Sequence, residues 1–414
     1  MTDIPKVLCD LTQSYAATGG GIRTYLTEKR RWLTENTPHR HVLIVPGDTD
    51  RVIDEGRHST VEIKSPQVPG SPEYKLLLRS NAVIRALRNF RPASVECLDA
   101  YNLPWAALSY RRERPSTVLV AGYRTDFPTV YLDAPVRRRI GAWAAVPLRK
   151  AGYTYAARLY SRFDGLYALN ADMASRLSAL IDGPVGQLPL GVDTSVFSPA
   201  ARDDTLRAEL GATPDRPVLV YAGRLDGEKQ ADVVVEAFAR LPESMRAVLV
   251  LLGKGNLTET IAERVRSEGL SIHMPGFVSR REDLARYLAS ADMYVSAMAH
   301  ETFGISIIEA QAAGLPIIGV KAGAMPDRVP AGTGFLGAQD DPQEMCDLIV
   351  RLWSSGETAK VGAAGRAHVM ARFGWDRTFE TLFGSIYRNA EIASARRRGV
   401  EPPTAEPAAV QPLA

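Results

Sequence analysis

The chain has 414 residues, 45% of them hydrophobic and 23% charged, with a formal net charge of +3. That length suits two or three domains, and the composition is that of a globular protein, not of a disordered or fibrous one. So small a net charge gives no ground for a nucleic-acid partner, and three cysteines, odd in number and far apart, exclude a disulfide framework or a zinc site.

Cys9, Cys97 and Cys346 stand in apolar runs and read as free thiols in a reducing compartment. The N-terminus shows no charged region followed by an apolar stretch, and no apolar run is long enough to span a bilayer. The expectation is a cytoplasmic protein, at most resting on a membrane surface. Along the chain, apolar runs at 7–11, 41–45, 94–98, 116–121, 165–169 and 185–190 read as buried strands. Amphipathic stretches at 22–36, 74–90, 136–161 and 172–181 read as the helices between them. This alternation predicts a parallel sheet covered on both faces.

The polar stretch 191–204 reads as a linker. The alternation then restarts, with strands at 217–223, 247–253, 270–276, 291–297 and 315–320. Helices follow near 231–240, 258–268, 281–290, 303–313, 342–353 and 358–372, so a second doubly wound sheet is expected. A last helical stretch is expected over about 376–395, and the Pro- and Ala-rich residues 396–414 read as disordered. The predicted domains are 1–192 and 193–375, and ligands of such sheets bind at the carboxyl ends of the strands.

Charge is unevenly spread. Residues 1–190 carry 26 Lys and Arg against 18 Asp and Glu, with the excess between Arg111 and Arg162. Trp143, Tyr153, Tyr155 and Tyr160 interleave these cations, a pattern that suits either a solvated helical face or contact with anionic lipid.

Three strand-to-helix turns carry chemistry. Gly19, Gly20 and Gly21 open the first helix, as in many phosphate or sugar cradles, though the full dinucleotide fingerprint is missing. GRLDGEK (223–229) places Arg224 and Lys229 before a helix, where two cations suit a diphosphate. HETFGISIIE (300–309) sets Glu301 in a loop, lets a ligand approach the backbone at Gly304, and puts Glu309 among isoleucines and alanines. A carboxylate so placed needs hydrogen-bond donors, and a ribose offers two adjacent hydroxyls. Asp48 and Asp50 form an Asp-x-Asp that reads as a polar loop, because the rest of the chain does not fit the metal-dependent fold that uses it. His300 reads as a loop-shaping residue.

GRLDGEK followed by HETFGISIIEAQAAGLPII, together with PLGVDTSVFSP (189–199), TGFL (333–336) and RFGWDRTFE (372–380), resembles the retaining nucleotide-sugar glycosyltransferases of the GT4 type. The resemblance reaches to about residue 395. It implies a GT-B fold: two Rossmann-like domains facing a central cleft, with the C-terminal helix crossing back to an N-terminal, acceptor-binding domain. It implies a UDP- or GDP-sugar donor, no metal and no further cofactor. Arg224 and Lys229 would bind the donor diphosphate. Glu301 would meet the sugar hydroxyls, and Phe303, Gly304 and Ile305 would present backbone to sugar and phosphate. Glu309 would hold the ribose, Phe277 and Val278 the base, and Gly20 and Gly21 the diphosphate from the other domain.

GYRTDF (122–127) is similar to a segment found in relatives that glycosylate lipids, but Arg124 stands where a histidine is expected. Arg cannot accept a hydrogen bond and stays charged, so an acidic group on donor or acceptor would suit it. GAMPD (323–327) carries Asp327 where Glu is commoner. The implied activity is transfer of a hexose or hexuronate to a lipid or glycolipid acceptor, or to a soluble or polysaccharide one. A sugar-nucleotide epimerase and a silent sugar-nucleotide-binding protein of the same fold are the competing readings.

Overall fold

The fold is described from a computed structural model covering residues 4–15, 20–68, 71–181 and 183–402. Chain contacts divide it into a first unit, residues 1–189 with 378–414, and a second, residues 190–377.

The first unit is built on eight strands: β1 (Val7–Leu11), β2 (Arg40–Gly47), β3 (Arg51–Glu55), β4 (His58–Lys64), β7 (Ser94–Cys97), β8 (Val118–Tyr123), β9 (Gly165–Ala168) and β10 (Val185–Gln187). A separate antiparallel pair is formed by β5 (Gln67–Val68) and β6 (Ser71–Lys75). The order across the large sheet is β10-β9-β8-β7-β1-β2-β4-β3. All pairs in it are parallel except β3 with β4. The chain runs outward in opposite directions from β1 and β7, which makes their carboxyl ends a topological switch point. Val95, Leu119, Ala121 and Leu166 lie in one buried cluster, and Val118, Val120 and Tyr167, which alternate with them, are buried as well, so both faces are covered and the apolar runs are continuous.

Several expectations are corrected here. The helix expected over 74–90 begins only at Ser80, because 71–75 is spent on the hairpin with Gln67–Val68. The strands at 51–64 and the helix Leu103–Glu113 were not expected. The single helix expected over 136–161 is two helices, Ala134–Arg139 and Ala142–Tyr160, and a π-helical turn, Pro128–Asp133, leads into the first of them. Gly141, at φ 118°, breaks the two helices apart. The segment 191–204 is no open linker: Val192 and Phe197 are buried, and the Val192 amide bonds the Phe373 carbonyl at 2.8 Å.

The second unit carries six parallel strands: β11 (Val218–Ala222), β12 (Val248–Leu252), β13 (Ile272–Gly276), β14 (Met293–Val295), β15 (Ile317–Val320) and β16 (Gly334–Gly337). Their order, β13-β12-β11-β14-β15-β16, puts the switch point between β11 and β14. From Thr378 the chain belongs again to the first unit. There a π-helical turn Leu382–Tyr387 leads into a final helix, Arg388–Arg398, packed on β8 and β9. This helix runs three residues past the expected end at 395 and stops at Gly399, whose φ of 68° closes it. Gly19 and residues 403–414 of the expected tail lie outside the described residues. Among the described residues no helix is long and apolar enough to cross a membrane. All three cysteines are buried free thiols.

Candidate active site

The second unit's switch point brings together residues that are far apart in sequence. The loop after β11 carries Arg224 and Lys229, and the loop after β14 carries Glu301. Lys229 Nζ lies 3.2 Å from Glu301 Oε2 and 2.9 Å from the Met298 sulfur. The other oxygen, Glu301 Oε1, accepts the Gly304 amide at 3.1 Å. Burial pushes the Glu301 carboxyl up, but the Lys229 charge and hydrogen bonds from Lys229, Gly304 and Phe303 outweigh it and hold the group below its ordinary value. Glu301 therefore stays ionised, a fixed acceptor facing a fixed cation.

Backbone geometry builds this corner. Gly304 takes φ 83° as it caps the helix Ile305–Ala312. Gly323 takes φ 56°, and a Cβ there would stand 2.7 Å from the Glu301 carbonyl oxygen. The Ala324 amide bonds that carbonyl at 2.8 Å. GAMPD is thus the seat of the Glu301 loop, with Asp327 exposed on the short helix Met325–Arg328. Arg328 is buried below, its Nε donating to the Phe303 carbonyl at 2.9 Å and its guanidinium 4.1 Å over the Phe303 ring. Arg224 pairs with Asp226 at 2.5 Å and Glu228 at 2.8 Å, so both expected diphosphate cations are held by carboxylates.

Glu309 is buried on the helix Ile305–Ala312, with Arg281 3.1 Å from its Oε1. Arg281, which sequence reasoning did not single out, starts the helix Arg281–Ala289 and lies 4.8 Å over the Phe197 ring. Burial pushes the Glu309 carboxyl up to about 7, against the pull of Arg281. A folded value above the unfolded one adds stability below the unfolded value, and that stability is lost as pH rises through about 7. Glu309→Gln should therefore gain on the wild type between about pH 5 and about pH 8, by up to ~3 kcal/mol. Melting curves across that range check this, and parallel curves for the two proteins would refute it. Phe277 is half-exposed at the end of β13, with Val278 partly buried beside it. The side chain of Lys254, exposed in the loop after β12, lies against Gly276. The Gly-Lys-Gly directly after a strand was the signal for that cation, and it was overlooked.

In the first unit Gly20 caps the helix Gly21–Asn36 at φ 111°. Arg124, just past β8, is buried; its guanidinium lies 4.2 Å over the Tyr25 ring and donates to the Tyr167 hydroxyl at 3.2 Å. Behind it stands a buried charge network. Lys29 Nζ lies 2.7 Å from both Asp10 and Glu96, with all three side chains fully buried. Glu96 also accepts the hydroxyls of Tyr167 at 2.6 Å, Tyr25 at 2.9 Å and Tyr387 at 2.9 Å. His41 Nε2 lies 2.8 Å from Asp10. Asp48 and Asp50 pair with Lys75 and Arg79, and His300 is exposed.

Two Rossmann-like domains, the second carrying paired acid and base at its switch point, define the GT-B glycosyltransferase class. Comparison with known proteins agrees: residues 19–196 match Glycosyltransferase Family 4, and residues 202–367 match Glycosyl transferases group 1. A D-inositol 3-phosphate glycosyltransferase of Xylanimonas cellulosilytica is 31% identical over 66% of this chain and 68% of its own length. A GDP-mannose-dependent α-(1-6)-phosphatidylinositol dimannoside mannosyltransferase of Mycobacterium tuberculosis is 26% identical over 90% of this chain and 93% of its own. The solved sucrose-phosphate synthase of Thermosynechococcus elongatus superposes with a TM-score of 0.74 at 19% identity, over 92% of this chain and 98% of that one. The chain belongs to the family 4, group 1 glycosyltransferases.

Proposed function

We propose that the protein is a retaining, metal-independent transferase that moves a hexose or hexuronate from a UDP- or GDP-sugar to a lipid or glycolipid acceptor at a membrane face. The observation that carries the reading is the Lys229–Glu301 pair beneath Gly304 at the second unit's switch point. In this reading Lys229 and Arg224 turn to the donor diphosphate, whose negative charge grows as the glycosidic bond breaks. Glu301 accepts from the sugar hydroxyls, with Phe303, Gly304 and Ile305 offering backbone. Glu309 holds the ribose beside Arg281, and Phe277 with Val278 meets the base. The leaving diphosphate takes the acceptor proton on the same face, which is the retaining course. Gly20, Gly21 and Arg124 enter by resemblance, as the first unit's share of donor recognition.

Two observations favour a lipid acceptor. The mycobacterial relative is named for transfer to a phosphatidylinositol dimannoside. In the first unit, Trp143 is 77% exposed, and Ile140, Tyr131 and Leu148 are also exposed. The cations Arg139 and Lys150 are exposed among them. Apolar rings flanked by cations suit an anionic bilayer surface.

The test is to incubate the protein with radiolabelled UDP- and GDP-sugars and a total lipid extract. Label passing into the organic phase is expected. Donor turnover without a labelled lipid, or donor binding without turnover, would remove the lipid-transfer reading.

A further inference from the structure

A second basic site lies in the first unit, away from the strand ends that carry the groups described above. A cavity of about 660 Å³ is lined by Trp105, Arg111, Arg112, Pro115, Arg162 and Arg397, among others. Pro115 and Arg162 lie just before β8 and β9, so this part of its wall stands at the amino ends of the strands. Ligands of the transfer reaction belong at the carboxyl ends. The exposed Trp143 is twelve residues from Tyr155 on the helix Ala142–Tyr160, about 18 Å along its axis. Tyr155 is the residue whose hydroxyl accepts the Trp105 indole N–H at 3.0 Å, which sets the cavity apart from that apolar face as well.

The cavity is positively charged and firmly built. Asp164, with a side chain 3% exposed, lies 3.2 Å from Arg111 and 2.8 Å from Arg397. Arg111 also donates to the Arg162 carbonyl at 2.7 Å. The Arg162 guanidinium stands 5.1 Å over the Trp105 ring. Among the described residues no carboxylate pairs with Arg112 or Arg162, so four guanidinium groups share one acid. Guanidinium forks match phosphate oxygens two at a time. Trp105, Leu108 and Pro115 offer an apolar wall for a small carbon body, and the volume is that of ordinary ligand sites.

We propose that this cavity binds a phosphate ester, taken from a phospholipid headgroup or from a soluble metabolite, with Arg112 and Arg162 supplying the unneutralised charge. The site bears on no step of sugar transfer, so its failure and that of the transferase reading are separable. The full chain is compared with an Arg112→Ala, Arg162→Ala double variant; Arg111 and Arg397 are spared because they hold Asp164. Glycerol 3-phosphate is titrated by calorimetry, and the proteins are sedimented with phosphatidylcholine vesicles with or without phosphatidylglycerol. Saturable glycerol 3-phosphate binding that weakens at least about tenfold in the double variant supports a soluble ester. Phosphatidylglycerol-dependent sedimentation that the double variant loses, and that glycerol 3-phosphate competes away in the wild type, supports a headgroup. Should the double variant melt early, Arg112→Gln alone repeats the comparison. No binding of either probe to the wild type, or binding unchanged in a variant that melts normally, overturns the proposal.

Discussion

Replacing Lys229 with alanine is expected to slow sugar transfer by about 10²- to 10³-fold at saturating donor, with little change in melting temperature. The side chain is 25% exposed, so its loss opens no core cavity. Glu301 keeps the Gly304 amide at 3.1 Å, so its loop stays seated. On the proposed reading, what disappears is the cation that meets the charge growing on the leaving diphosphate. A group that acts on growing charge lowers kcat more than it raises KM. Initial rates against donor concentration separate the two. A turnover within about threefold of wild type would show that Lys229 serves only to hold Glu301. Glu301→Gln is the companion measurement. It keeps shape and size but loses the charge, so a fall in rate with an unchanged melting point places Glu301 on the substrate rather than in the scaffold.

The layout of this corner was largely legible in the chain, because its parts stand at ends of apolar runs. In the second unit the expected strands at 217–223, 247–253 and 315–320 contain the observed Val218–Ala222, Val248–Leu252 and Ile317–Val320. Each is followed by a turn with Gly, and that punctuation needs no tertiary knowledge. The edge hairpin β3–β4 escaped because its outer strand, RVIDE, is exposed or half-exposed at every position and so lacks the apolar signature of its neighbours. The break at Gly141 escaped because glycine inside a helical pattern is ambiguous until φ is known. Arg281 escaped because its partner, Glu309, lies in a different helix, and pairing across elements leaves no local periodicity. The buried network escaped for a further reason. Lys29 sits in an amphipathic helix, where a lysine ordinarily faces water. Glu96 sits in SVECL, where the surrounding apolar residues dominate the pattern. Only the fold shows that the Lys29 ammonium stands between Glu96 and Asp10 and offsets their charge.

That offset makes Lys29 the position where a substitution should cost most stability. Lys29→Met is expected to lower stability by ~3–5 kcal/mol, because it leaves two carboxylates, Asp10 and Glu96, buried with no ammonium between them. The loss is not the worth of an isolated ion pair, since bringing all three charges out of water has already offset much of their attraction. It is the penalty for an unbalanced remainder. The pH dependence follows from Asp10. In the wild type burial pushes its carboxyl up, but Lys29 and His41 hold it down to about 2. A depressed folded value gives stability that is present above the unfolded value and lost as pH falls through about 2. Without Lys29 the balance reverses: Asp10 takes up a proton more readily when folded, and the variant is penalised most where the carboxylate must stay charged. The gap between wild type and variant should therefore be widest near neutral pH and shrink toward about pH 4. Adding Glu96→Gln to Lys29→Met removes one of the orphaned charges and should recover part of the loss, a non-additive result that denaturant titration of the single and double variants reads directly. The same network carries Tyr167, which accepts from Arg124, so the buried charges and Arg124 rest on a shared foundation. If the double variant were less stable than Lys29→Met alone, Glu96 would be serving the three tyrosine hydroxyls rather than the ammonium, and the electrostatic account of this core would fail.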